Sequence, residues 1–242
     1  MTALLAQRSN EPWLSDSEFA ALLPATLLDE DQAWRGLAPL WLPTTPAGEV
    51  CAAAGSLGVH CFKRRGTLAL LRQLDRPVLL PLYGADGVAH FAHLVGLAGA
   101  GVRLKMAGQV VRITPQTLAT LWRGEFGTLW RAPPGYTAAH PQPDADWLAV
   151  QLAHWSGAKL PQNKRDSNQA NKSLNGSTGS SPSGPPGGSP NGQSTPPLSP
   201  ALRTQLSKFQ RAERLDVTGQ ANAMTLMRLN RISGISEPRL PR

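Results

Sequence analysis

Two sets of side chains in this sequence could do chemistry by their type and spacing: thiols with imidazoles, and aromatic rings beside arginine. Cys51 and Cys61 stand ten positions apart, and no second cysteine pair follows. That is not a C-x2-C ligand spacing, so no metal centre and no cofactor are expected. In an oxidising compartment the two thiols could form a disulfide if their Cβ atoms meet; otherwise they are two buried, reduced thiols. His90 and His93 lie in an apolar run, and a histidine within reach of a thiol would make a nucleophile–base pair. Trp122 and Trp130 flank Arg123-Gly-Glu-Phe. Such rings can stack on sugars or bases, although packing of a helix on a strand is their commoner use.

Charge widens the choice of partner. The formal net charge is +8, which attracts polyanions: nucleic acid, anionic lipid headgroups or cell-wall carboxylates. Lys63-Arg64-Arg65 and the basic residues between 203 and 242 contribute to it. No helix-turn-helix frame, zinc finger or RNP pattern accompanies them, so a solvated basic face is expected and nucleic-acid binding is the alternative. No run of eighteen apolar residues is present, so no membrane span is expected. Residues 1–10 have one arginine and no apolar core, unlike a signal peptide. Either the chain is cytoplasmic, or it has lost an anchoring part.

These residues must be positioned by elements legible in the pattern. Residues 16–42 read as helical, with Phe19, Leu22 and Leu23 in one piece and Trp34, Leu37, Leu40 and Trp41 in another; a short helix follows around 51–57. Strands are expected at 77–83, 89–97, 102–106, 109–113 and 126–130, punctuated by Gly84-Ala-Asp-Gly87, Gly99 to Gly101 and Ala107-Gly108. Thr114-Pro115 opens another helix. Helices followed by a curled antiparallel sheet give an α+β layout. Residues 161–199 are rich in Gly, Pro, Ser and Asn with few large apolar residues. Such a tract cannot offset an ordering entropy of roughly 1–2 kcal/mol per residue, so it is expected to be a disordered insertion.

On either side of that insertion lie stripes at helical spacing: Leu148, Leu152 and Trp155 before it, and Leu202, Leu206 and Phe209 after Ser199-Pro200. A further short helix carries Thr225, Leu226 and Leu229. One helix before the tract and two after it would close as a three-helix bundle. Lengthening a loop from about ten to about forty residues costs only about 1.2 kcal/mol in closure entropy.

Two resemblances enter on these residues. Residues 206–230, LSKFQRAERLDVTGQANAMTLMRLN, resemble the second half of a three-helix peptidoglycan-binding domain, whose pattern is Phe-Gln, a later Leu, a Gly-containing turn and Thr-Leu-x-x-Leu. Here these are Phe209-Gln210, Leu215, Gly219, Thr225-Leu226 and Leu229, with Thr218 and Asn222 departing from the family's Asp and second Gly. Residues 50–133 resemble the periplasmic region of the protein A component of the general (type II) secretion pathway, the ExeA-like family. Its carriers are Cys51-Ala-Ala-Ala, Gly58-Val-His-Cys61, Gly66, Leu71-Arg-Gln-Leu-Asp-Arg-Pro77, His90-Phe-Ala-His-Leu94 and 122–131.

The resemblance implies a degenerate papain-like domain, similar to bacteriocin-processing peptidases, over 16–133. A peptidoglycan-binding bundle over 142–232 would follow, with tails at 1–15 and 233–242. A papain-like site needs a Cys on its first helix, a His on a strand and an Asp or Asn to orient that His. His90-Phe91 fits the histidine strand, but 31–37 holds no Cys, and Leu104-Lys105-Met106 stands where the acid is due. No enzyme activity is therefore expected; a peptidase using Cys51 or Cys61 with His90 is the alternative. No G-x-x-x-x-G-K-[ST] run is present, so the family's nucleotide hydrolysis is not carried over. His90 and His93 are expected to line a vestigial groove. Peptidoglycan contacts are expected from Phe209, Gln210, Arg211, Thr218, Gly219 and Thr225, with Arg211 and Thr218 the better candidates because they are polar and near the turn. A periplasmic location, with secretion components that assemble the secretin as further partners, is implied by resemblance.

Overall fold

The computed structural model describes residues 11–26, 28–157 and 198–241. The insertion read at 161–199 lies outside the described residues except for its last two, and Ser199 caps the following helix by accepting from the Leu202 amide.

Six antiparallel strands form one sheet: β1 (Val59–Arg65), β2 (Val78–Tyr83), β3 (Ala89–Ala98), β4 (Gly101–Met106), β5 (Gln109–Ile113) and β6 (Glu125–Arg131), in the order β1-β6-β2-β3-β4-β5. The last four in that order follow one another through short turns. At the turn between β4 and β5, Ala107 and Gly108 both take positive φ between the Met106–Gln109 pair, the geometry that matches strand twist in a two-residue hairpin. The strand read at 126–130 is β6, and it lies inside the sheet between β1 and β2. Its outer neighbour is β1, and the basic run Lys63, Arg64 and Arg65 is the exposed end of that edge strand, where charges discourage pairing with other chains.

Strand alternation divides the interior. Val78, Leu80, Leu82, Ala92 and Leu94 point to one face and join Phe19 of α1 (Asp16–Leu22) and Leu71 and Leu74 in one cluster. Leu79 and Leu129 point to the other, under α2 (Glu30–Leu37) and α3 (Val50–Ala54). Trp34 of α2 lies so close to β6 that a Cβ on Gly127 would meet its ring at 2.6 Å. Leu71 and Leu74 belong to α4 (Leu68–Leu74), a helix the sequence reading did not find; Thr67 caps it by accepting from the Leu70 amide. The helix read at Thr114-Pro115 is α5 (Pro115–Leu121).

Three helices complete the fold: α6 (Ala145–Ser156), α7 (Pro200–Ala212) and α8 (Ala223–Ile232). Trp155 of α6 meets Phe209 of α7 edge-on at 5.2 Å, so the helices flanking the 158–197 stretch touch. On α8, Met224, Thr225, Leu226, Met227, Leu229 and Asn230 are all buried. That is more than one helical face, because α8 lies between its two partners and the sheet unit. Arg228 and Arg231 reach across to the Gln73 carbonyl and the Asp75 carboxylate at the end of α4.

Both stretches read as tails are packed where they are described. The Glu11 side chain is 8% exposed and takes hydrogen bonds from Arg103 and Arg112, while Leu14 and Pro12 pair with the backbone of Arg112 on β5. At the other end Leu240 is 5% exposed, and the Glu237 carboxylate meets the guanidinium of Arg76 at 2.9 Å, with side chains 5% and 2% exposed. The hydrogen bonds and charge of Arg103 hold the Glu11 carboxyl below the usual carboxylate range. Its stabilisation is present above the unfolded-state value near pH 4.3 and is lost as pH falls through the lower folded value. Acidification below about pH 4 is therefore expected to release residues 11–14 first, read as loss of hydrogen-exchange protection at the Leu14 amide.

Cys51 of α3 and Cys61 of β1 form a disulfide, with Cα atoms 5.3 Å apart. A loop this short gives about 2–3 kcal/mol in the chain-entropy account. Reduction, or a paired Cys51→Ser and Cys61→Ser change, is expected to lower stability by that amount in urea unfolding.

Candidate functional site

The peptidase-like positions are built on β3 and α2. His90 and His93 are three residues apart on a strand, so they point to opposite sheet faces. They cannot line one groove, which corrects the expectation from sequence. His93 faces α2, where its Nε2 donates to the Ala33 carbonyl at 2.7 Å; burial holds its pKa below the usual histidine value. Gly36 leaves room for that ring, since a Cβ there would stand 2.6 Å from Cε1. His90 lies on the far face, 5% exposed, with Nε2 3.4 Å from Asp86.

On α2 itself, Asp31 is occupied by Arg35 and by the Val50 amide. Trp34 donates to Glu30. The two cysteines are bonded to each other and pack in the α2–α3 cluster, on the face His90 does not reach. Among the described residues no group of three or more His, Cys, Asp or Glu is placed to hold a metal ion.

In front of the N-terminus of α2 the sheet face is open as a groove of about 470 Å³. Leu79, Pro81, Phe91 and Gly127 form its floor, with Lys63, Arg65, Glu30 and Glu125 at the rim. Strand β2 meets β6 at the Leu79–Gly127 pair; Pro81, which has no amide to donate, follows it. The rim charges neutralise one another: Lys63 pairs with Glu30, and Arg65 with Glu125 at 3.4 Å. Tyr83 donates to Glu125 at 2.8 Å, which raises the phenol pKa, and Arg123 stacks over its ring at 4.3 Å. Trp122 donates to the Glu125 carbonyl, and Trp130 is 1% exposed against Tyr136. Both indoles are thus packing residues.

The helical unit is organised by a glutamine. Gln210 is fully buried. Its Oε1 accepts from the amides of Thr218 and Gly219, both at 2.9 Å, and its Nε2 donates to the Gln220 carbonyl and the hydroxyls of Thr218 and Thr225. One side chain thereby fixes the turn between α7 and α8. Asn222 caps α8 by accepting from the Thr225 amide, which suits the position where the peptidoglycan-binding pattern has Gly.

Of the six residues expected to contact ligand, Phe209, Gln210, Gly219 and Thr225 are buried, whereas Arg211 and Thr218 are exposed. The buried four shape the turn from inside, and only the exposed pair can meet a ligand at the surface. What the sequence reading missed is the buried amide itself: Gln210 stands next to a core Phe, and a polar residue beside the apolar stripe passes for a surface residue.

Fold and site together define an α+β protein with a six-stranded antiparallel sheet and a three-helix unit docked on it. No family model matches the chain. It is 26% identical over 214 residues to general secretion pathway protein A of Aeromonas hydrophila, an alignment covering 88% of this chain and 34% of that protein. The chain thus spans about a third of that relative's length, and the resemblance read from its motifs is to this secretion protein. Among solved structures it is similar to a periplasmic domain of the EpsAB fusion protein of the Vibrio vulnificus type II secretion system, at 21% identity, covering 90% of this chain and 84% of that one, with a TM-score of 0.49. A second is the peptidase domain of Streptococcus mutans ComA, at 17% identity, covering 35% and 73%, with a TM-score of 0.30. Among the described residues no helix is long and apolar enough to cross a membrane.

Proposed function

We propose that this chain is a non-catalytic protein of the cell envelope, binding peptidoglycan through its helical unit in the service of a type II secretion system. The observation that carries the reading is the turn held by Gln210: the residues shared with the peptidoglycan-binding pattern are the ones that build it. The secretion role is supported by similarity to general secretion pathway protein A, and components that assemble its secretin are the further partners proposed. A disulfide favours an oxidising compartment, in keeping with a periplasmic site. The domain limits 16–133 and 142–232 are part of this proposal.

Against a peptidase stands the pairing of the two thiols with each other, away from His90. Against nucleic acid stands the distribution of charge, because Lys63 and Arg65 are each paired with a carboxylate at the groove rim. Co-sedimentation with purified, insoluble peptidoglycan is the test. The chain is expected in the pellet, in saturable amounts and without release of peptide fragments. A chain that stays in the supernatant at low salt contradicts the reading.

A further inference from the structure

A cleft of about 190 Å³ opens at the seam between the two units, where the end of β1 meets the turn after α7. Arg64 and Leu70 wall one side, and Arg214, Asp216, Asn222 and Met224 the other. The backbone at Arg214 is unusual. Its amide donates to the Arg211 carbonyl and the Leu215 amide to that of Gln210, the paired closure that ends a helix with a left-handed residue. Glycine is the ordinary occupant of that position, yet Arg214 holds it with φ 54°.

Among the described residues, the other non-glycine residues with positive φ are Asp75 and Ala107. Asp75 spends its side chain on an ion pair with Arg231, and Ala107 belongs to a hairpin turn. The guanidinium of Arg214 has no hydrogen bond or ion pair among the described residues, and it lines the cleft. Backbone strain kept for an unused cation points to a ligand.

Arg64 reaches the cleft from the sheet unit. It pairs with Asp216 at 3.0 Å, but both side chains are substantially exposed, 43% and 71%, so the pair is weak and its guanidinium can take a second carboxylate. We propose that this seam binds one carboxylate-bearing residue of a peptidoglycan stem peptide. Arg214 is the principal donor and Arg64 the second, while Asp216 receives a neighbouring ammonium. Leu70 and Met224 pack on the aliphatic part. The site draws on both units. This assignment rests on the peptidoglycan reading and adds where the peptide is held.

The test titrates an N-acetylmuramyl peptide with free carboxylates into the full chain by calorimetry, with pelleting on intact sacculi beside it. Arg214→Gly is the informative variant, since glycine suits the backbone and removes only the cation. Binding of the peptide is expected to weaken roughly 10- to 100-fold, with thermal stability unchanged or raised. Arg64→Gln is expected to weaken it less, and amidating the peptide's carboxylates should abolish the difference between wild type and variant. Undiminished peptide binding by Arg214→Gly, with sacculi still pelleting the chain, overturns the seam site and leaves the wall reading standing. Failure of the wild-type chain to pellet overturns the wall reading first. Equal affinity for an all-L acidic peptide of the same charge makes the seam a general acidic-peptide site and overturns its assignment to the wall.

Discussion

Glu237→Ala is expected to lower folding stability by about 3–5 kcal/mol, the cost of leaving a buried charge without its partner. The carboxylate accepts from both terminal nitrogens of Arg76, from the Arg131 amide at 2.9 Å and from the Asn230 side chain at 3.2 Å. Arg76 in turn reaches the Met227 carbonyl and lies over the Trp41 ring. The cluster joins α4, β6, α8 and the last residues of the chain. Removing the carboxylate leaves a guanidinium whose burial already pulls its pKa down. Adding Arg76→Met is expected to recover part of the loss, because it removes the unpaired buried charge and its desolvation penalty. Urea unfolding reads both. A loss under about 1 kcal/mol for the single change would mean that the C-terminal segment is not held as described.

The second large effect is at the turn. Gln210→Leu keeps the volume but strips the Gly219 amide of its acceptor and the Gln220 carbonyl of its donor, while the Thr218 amide keeps the Asp216 carbonyl. Each group left unsatisfied costs about 1–3 kcal/mol when buried; for these two, with partial relaxation toward solvent, the loss is about 2–4 kcal/mol. Wall binding is expected to fall with it, since the turn no longer has one shape. Arg211→Ala is the contrasting change: the residue is exposed, so stability should move by less than about 0.5 kcal/mol while binding weakens. If Gln210→Leu unfolds no more easily than Arg211→Ala, the buried amide does not organise the turn.

The parts of the fold legible in the sequence were those written in local pattern. Alternation and glycine turns placed β2 to β5, and stripes of Leu and aromatic residues placed α6, α7 and α8. Strand β1 escaped because its second half, Lys63-Arg64-Arg65, reads as solvated charge when its pairing to 125–127 is unknown. Helix α4 has seven residues, too few for periodicity to separate it from a buried strand. Sheet order was closed to inspection, as the insertion of β6 between β1 and β2 is a long-range pairing. So was the Arg76–Glu237 pair, 161 residues apart in sequence.

The site divides in the same way. The spacing of His90 and His93 already held the information that they face apart, because a strand alternates with period two; the resemblance to a histidine strand drew attention from it. The burial of Gln210 was not readable, since the amide is polar and the apolar stripe does not require it. The value of Arg214 lies in a backbone angle, which composition and spacing do not carry.

Hydrogen exchange with soluble wall fragments present puts the central idea to its most direct trial. Slowed exchange is expected at the amides of 214–225, around the turn and the start of α8, with the open groove by Tyr83 and Phe91 unaffected. Protection confined to that groove, or none anywhere at saturating fragment, would contradict a helical unit that recognises the wall.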